Sequence, residues 1–315
     1  MAMLDRLDRW KDQSTITAEQ HTLFRNLVRD DPFSLFSELN ILLYAGVLAF
    51  VIGLGWTVTT FSAKVGDVLV VSLLAAIIAA SLYYCFKHAP VWSPNKTTAR
   101  TFLADYVLYL CCLVWGIELA YLEQRLYLFP GHYDRYLLAT AIFFFYLAYR
   151  FDNRLVLSLA LSTLAGWFGF TVARLPFFVP ETYRQYALSF CAVLAIGALI
   201  LRSLKLKPHF FATYLNLLTN VLFIALLSGV FDSDHRGHWF LALLLTAAAS
   251  LAWGTQQRQF AFVAYASVYT YIAAASLLLR STSSDPTGTI MLLVIAAIAM
   301  LIMLVVVSRR FGRTQ

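Results

Sequence analysis

Long runs of apolar residues without a single charge constrain this chain more than any other feature. The clearest run, residues 290–307, holds no ionisable side chain. It is about as long as a bilayer-crossing helix, which needs about 20 apolar residues. Overall 60% of the residues are hydrophobic and 13% are charged, whereas an average soluble domain carries about 25% charged residues. The sequence therefore predicts an integral membrane protein.

Ten apolar segments follow one another from residue 38 onward. Because a bilayer core offers no water to pair with backbone N–H and C=O groups, each segment is expected to be an α-helix. Short linkers between them predict an up-and-down path. The fold class is thus an all-α polytopic transmembrane bundle of about ten spans. The segments are 38–61, 66–86, 102–122, 136–149, 155–173, 185–202, 210–231, 239–254, 260–279 and 289–308, of which 136–149 and 239–254 are short enough to be either thin spans or re-entrant helices.

Residues 1–36 are polar and predict a short cytoplasmic helical hairpin ahead of the transmembrane domain, 37–315. Thr17 and Gln20 fit a capping box that would start its second helix. No cleavable signal peptide is expected, since this region has no apolar core. Two apolar stripes at helical spacing favour a packed hairpin: Leu4, Leu7 and Trp10, then Leu23, Phe24, Leu27 and Val28.

The basic residues predict the orientation. If both termini are cytoplasmic, 17 of the 24 Lys and Arg residues lie in the tails and the even-numbered turns, which leaves 7 in the odd-numbered turns. Such an excess on one side is what the positive-inside rule requires. The seven are Lys64, Arg125, Arg135, Arg174, Arg184, Arg236 and Arg280.

Several local patterns point to a known family. They are Trp10 followed by Ile16-Thr17-Ala18-Glu19-Gln20, the Gly-rich first span from Leu43 to Trp56, Ala148-Tyr149-Arg150, and Trp167-Phe168-Gly169. Over about the first 170 residues the chain resembles a family of predicted bacterial membrane proteins of unknown function. It departs from the family pattern where Ser14-Thr15 replaces a usual Gly and where Thr57 follows Trp56 in place of Asp. The resemblance implies the topology and a location in the bacterial inner membrane, and it implies no reaction.

Two acidic residues lie within the third span. Asp105 and Glu118 are 13 residues apart, which on a helix separates them by about 20 Å and by about 140° around the axis. They cannot form one carboxylate pair. They either act at two depths, as in a proton relay, or reach the interfaces and loop residues nearby.

Polar residues also line one face of the seventh span. Thr213, Asn216 and Asn220 recur at spacings of three and four, and Tyr269 lies in the ninth span. Such residues either line a hydrated cavity or hydrogen-bond helices to one another. With Asp105 and Glu118, the residues Asn216, Asn220 and Tyr269 make up the candidate polar intramembrane site.

Other chemistry is weakly indicated. The odd-numbered turn with Asp232, Asp234, His235 and His238 is either a metal-binding loop or a solvated one. The four cysteines (Cys85, Cys111, Cys112 and Cys191) lie in or beside apolar runs, so we expect them to be buried small hydrophobic residues. No nucleotide-binding, hydrolase or metalloprotease motif is present in the sequence. We therefore expect no catalytic residue, cofactor or resident metal.

These features favour a non-enzymatic membrane component. The first hypothesis is an accessory, assembly or scaffold subunit whose partners are membrane lipids and other membrane protein subunits, with no nucleic acid. The alternative is a small-solute or ion-coupled transporter that uses the polar residues of the third, seventh and ninth spans. An enzyme acting on a lipid-linked substrate is a distant third.

The orientation gives a direct prediction. A fluorescent reporter fused after Arg313 is expected to be active in the cytoplasm, and a periplasm-dependent phosphatase fused there is expected to be inactive, because the basic turns stay inside. The same pair of reporters inserted at Arg236 should give the opposite result. Phosphatase activity from the C-terminal fusion would contradict the orientation.

Overall fold

The computed structural model describes residues 10–11, 17–22, 35–95, 102–127, 133–174, 180–232, 235–281 and 286–312. Within these ranges ten long α-helices and one short 3-10 helix form the fold, and there is no β-strand. The helices are α1 Leu35–Val65, α2 Asp67–Lys87, α3 Phe102–Leu126, α4 Tyr133–Phe151, α5 Arg154–Ala173, α6 Pro180–Ser203, α7 Phe211–Asp232, α8 Arg236–Gln256, α9 Phe260–Ser281 and α10 Pro286–Gly312, with the 3-10 helix Pro208–Phe210 just before α7.

Each predicted apolar segment corresponds to one of these helices, and the all-α polytopic bundle is confirmed. Eight described helices are long and apolar enough to cross a membrane: α2, α3 and α5 to α10. Within α1 the shorter stretch Leu42–Val58 is apolar. Helix α4, which carries Asp134 and Arg150 in its terminal turns, is not one of these eight. The segment 239–254 extends to 21 residues as α8.

The N-terminal hairpin lies mostly outside the described residues. The capping box is confirmed: the Thr17 backbone N–H donates to Gln20 Oε1 at 3.1 Å, and the Gln20 backbone N–H donates to Thr17 Oγ1 at 3.2 Å. Two otherwise unpaired donors at the helix start are thereby satisfied. The division into residues 1–36 and 37–315 stays a prediction.

The interior consists of three hydrophobic cores in chain order. The first is formed by α1, α2 and α3, the central one by α2 to α7, and the third by α7, α8 and α9. Helix α3 therefore contributes to the first and central cores, and α7 to the central and third. All four cysteines are buried and free, as predicted from their apolar surroundings.

Alternate turns meet at opposite ends of the bundle. We call the end with the α2–α3, α4–α5, α6–α7 and α8–α9 turns the even face, and the other end the odd face. On the odd face the Tyr121 hydroxyl donates to Asp67 Oδ1 at 2.5 Å, and Arg174 lies 3.4 Å from Asp134. The first contact joins the second half of α3 to the start of α2, and the second joins the end of α5 to the start of α4. Each contact therefore holds two neighbouring antiparallel helices together at the odd face.

Candidate functional site

The first predicted site residue, Asp105, lies in the first turn of α3 at the even face. Its Oδ1 accepts a hydrogen bond of 2.9 Å from the Asn153 side chain in the α4–α5 turn. Asn153 also caps α5, since its Oδ1 accepts from the backbone N–H groups of Leu155 and Val156 at 2.9 and 3.0 Å. One amide therefore joins a helix cap to a carboxylate on another helix.

Asn220 and Tyr269 are brought together between α7 and α9. The Tyr269 hydroxyl donates to Asn220 Oδ1 at 2.5 Å. The Tyr269 ring stacks on Phe223, with centroids 5.1 Å apart and planes 4° apart. Both residues thus belong to the packed α7–α9 contact, and their hydrogen bond links two helices directly.

Asn216, one turn earlier on α7, has different surroundings. It lines a cavity of about 650 Å³ on the even face together with Thr213, Arg154 and Arg258. Its buried Oδ1 finds no hydrogen-bond partner among the described residues. Of the five predicted site residues, Asn216 is therefore the one with unused hydrogen-bonding capacity in a cavity.

Glu118 lies in the second half of α3 and is partly buried. Glu118, Asp105 and Asn220 do not line the 650 Å³ cavity that Asn216 lines. Asp105 of the third span pairs with Asn153, whereas Asn220 of the seventh span pairs with Tyr269. The candidate intramembrane site is thus distributed over four places: Asp105 at the even face, Glu118 in the second half of α3, Asn216 in the cavity, and Asn220 with Tyr269 between α7 and α9.

A largely apolar cavity of about 320 Å³ lies between α3, α4 and α5 toward the odd face. Apolar side chains such as Leu113, Leu137 and Phe144 form most of its wall, and Glu123 adds a carboxylate. One Glu123 oxygen is buried without a hydrogen-bond partner among the described residues. The mostly apolar lining of this cavity suits an acyl chain better than a polar solute.

The most polar buried arrangement in the described residues was not predicted. In the two-residue α4–α5 turn, Asp152 Oδ2 lies 3.2 Å from Lys207 Nζ, and both side chains are 1% exposed. Asp152 Oδ1 lies 2.5 Å from His209 Nε2. The Lys207 backbone N–H donates to the Pro94 carbonyl in the α2–α3 turn at 2.8 Å. We call this meeting of three turns the Asp152 junction.

Arg150 strengthens the Asp152 junction from the end of α4. Its Nη1 donates to the Pro90 carbonyl at 3.2 Å. Its guanidinium also lies over the rings of Phe86 and Phe151, at 5.8 and 5.5 Å. One sequence feature could have indicated this site: a lone Asp in a two-residue turn between apolar helices, which needs a polar partner if the turn is buried.

The odd-face loop was predicted to be either a metal site or solvated. Asp234 lies outside the described residues, and the side chain of Asp232 is not described. His235 and His238 are exposed, with ring centroids 5.8 Å apart. Among the described residues no group of three or more His, Cys, Asp or Glu side chains is placed to hold a metal ion.

The helical fold and the apolar lengths of its helices define a multi-pass α-helical membrane protein. Residues 8–157 match a protein family described as predicted membrane protein (DUF2157). This match confirms the resemblance seen in the N-terminal half of the sequence. Neither a curated protein nor a solved structure matches the chain.

The Asp152 junction is expected to contribute strongly to the free energy of unfolding of this protein. Asp152→Asn leaves Lys207 buried without its counter-charge, and breaking a buried ion pair on one side costs about 3–5 kcal/mol. Arg174→Gln, which removes an ion pair with 42% and 29% exposed side chains, should cost about 0–1 kcal/mol. Thermal unfolding of the detergent-purified proteins, followed by tryptophan fluorescence, measures both.

A double variant serves as the control for this prediction. Asp152→Asn with Lys207→Met removes both charges and should recover part of the lost stability, because no uncompensated ion is then buried. Equal melting temperatures for Asp152→Asn and Arg174→Gln would contradict the stabilising role of the junction.

Proposed function

We propose that this protein is a non-enzymatic accessory or assembly subunit of the bacterial inner membrane, with both termini in the cytoplasm. It binds other membrane protein subunits and lipids through the apolar outer surface of its helices, and it binds no nucleic acid. The observation that supports this most is the pairing of intramembrane polar groups with one another. Asp105 pairs with Asn153, and Asn220 pairs with Tyr269. Side chains used in this way hold helices together and leave few groups for chemistry.

The surface for such partners is clearest on α10. This helix packs mainly against α9, and the Tyr271 hydroxyl of α9 donates to the Leu293 carbonyl at 2.8 Å. The side chains turned to α9 recur at helical spacing, at Leu293, Ala296, Ala297 and Met300, all partly buried. Leu304, one turn further on, is buried, and the other large apolar side chains of residues 290–306 are exposed: Ile290, Met291, Leu292, Val294, Ile295, Ile298, Leu301, Ile302, Met303, Val305 and Val306.

An edge helix of this kind suits lateral association. It has one main neighbour and no charge over residues 290–307, so a helix of another subunit can replace lipid along it without breaking a contact within this chain. Lipid tails are as apolar as these side chains, so the gain comes from close packing. The exposed face of α1, with Phe50, Ile52 and Trp56, offers a second such surface at the other end of the chain.

A transporter is the second candidate, and Asn216 is the observation that favours it. Asn216 lines the 650 Å³ even-face cavity, and its buried Oδ1 has no hydrogen-bond partner among the described residues. For transport the path must continue past Asn220 toward the odd face. The Asn220–Tyr269 hydrogen bond and the Phe223–Tyr269 stack close that direction.

Photo-crosslinking in intact membranes tests the accessory role. A photoreactive residue at Ile298, 52% exposed on α10, should give adducts with discrete membrane proteins. The same residue at Ile142, 62% exposed on α4, is the matched control and should give several-fold fewer protein adducts. Adducts with lipid alone at both positions would contradict the accessory proposal.

Thiol labelling separates the two candidates. In a chain whose four native cysteines are replaced by Ala, Asn220→Cys should resist a membrane-impermeant maleimide from both sides of the membrane. Arg258→Cys and Arg236→Cys, both at exposed positions, should each be labelled from one side only and serve as controls. Labelling of Cys at position 220 from either side would favour the transporter.

A further inference from the structure

A cavity of about 410 Å³ opens on the odd face between the start of α6 and the start of α8. It is separate from the predicted intramembrane site and from the Asp152 junction. Five of the six residues that line it are polar or charged, and the sixth is Trp239: Glu181, Arg184, Gln185, His235, His238 and Trp239.

Arg184 is the unusual member of this lining. It is 4% exposed, although arginine is seldom buried without full hydrogen bonding. Its Nη2 lies 3.9 Å from Glu181 Oε1, which is longer than a hydrogen bond. Its Nη1 is buried and finds no hydrogen-bond partner among the described residues. A buried guanidinium with unused donors is costly unless a ligand accepts from it.

Trp239 holds this guanidinium in place. The Arg184 Cζ lies 4.6 Å from the centre of the indole ring, a cation–π contact. The ring in turn rests directly on α7 at Gly229, where an added Cβ would lie 2.5 Å from the nearest ring atom. Since the backbone of α7 supports the indole and the indole supports the guanidinium, the donors of Arg184 are fixed before any ligand binds.

The surrounding groups favour an anion. His235 and His238 lie on the cavity wall with ring centroids 5.8 Å apart, and they offer imidazole N–H donors. Helices α6 and α8 both begin at this end of the bundle, so their positive dipole ends lie at the same face. The one carboxylate in the lining, Glu181, is 67% exposed, and its ion pair with Arg184 is long, at 3.9 Å, so it leaves most of the guanidinium donors unused.

We propose that this cavity binds a phosphate group, with Arg184 as the principal donor and His238 as a second donor. Phosphate suits the site because its several oxygens accept from a planar guanidinium and from imidazole at the same time. The phosphate is carried either by the headgroup of an anionic lipid or by a free inorganic ion. This binding is additional to the accessory role and does not depend on it.

Two ligand titrations of the purified full chain test the proposal. The first measures the melting temperature against inorganic phosphate, with chloride at equal ionic strength as the reference. The second counts bound phosphatidylglycerol by native mass spectrometry after delipidation, with phosphatidylcholine as the reference lipid. We expect saturable binding in at least one titration, and at least a tenfold weaker affinity in Arg184→Gln. Arg174→Gln, an odd-face arginine already paired with Asp134, is the matched control and should bind like the wild type.

The pattern of outcomes identifies the source of the phosphate. An Arg184-dependent response to inorganic phosphate supports a free ion, and Arg184-dependent retention of phosphatidylglycerol alone supports a lipid headgroup. If Arg184→Gln does not fold, His238→Gln replaces it and should weaken the same binding several-fold. Binding that is absent, or unchanged by whichever of these variants folds, overturns the proposal.

Discussion

The ion pair of Asp152 with Lys207 is the interaction on which the even end of the bundle depends. Both groups are 1% exposed, so neither can be satisfied by water and each requires the other. The pair joins turns more than 50 residues apart in the chain. The Lys207 backbone N–H and the Arg150 side chain also donate hydrogen bonds to carbonyls of the α2–α3 turn, so this turn is held at the same place. Three turns that would otherwise be independent surface loops are thus held at one point.

The conformation of the turns follows from this contact. Asp152 has φ 59° and Lys207 has φ 47°, both in the left-handed region that costs energy for residues other than Gly. Aspartate tolerates this region better than most residues, and the strain at Lys207 is offset by an ion pair and a backbone hydrogen bond. A turn of only two residues between α4 and α5 needs such a conformation. The buried ion pair stabilises this left-handed conformation.

Hydropathy was sufficient to predict the helices, and spacing alone was insufficient to predict the polar contacts. The ten apolar segments could be found because a helix in a bilayer is mostly long and nearly free of charge; each segment corresponds to an observed helix, and eight of these helices are long and apolar enough to span. The partners of Asp105 and Asn220 could not be found in this way, since they lie on other helices and turns. Nothing in the local sequence says that Asn153 would face Asp105, or that Tyr269 would face Asn220. The same reason explains why Lys207 and His209 were missed: their role exists only once the α4–α5 and α6–α7 turns meet.

Two adjacent cysteines on α3 show how the first and central cores are coupled. Cys111 packs in the first core and its neighbour Cys112 in the central core, because successive residues on a helix point about 100° apart. Any rotation of α3 that improved the fit of one side chain would drive the other out of its core. The rotational setting of α3 is therefore constrained by two cores at once, and a larger side chain at either cysteine would disturb the packing of one core through the helix that it shares with the other.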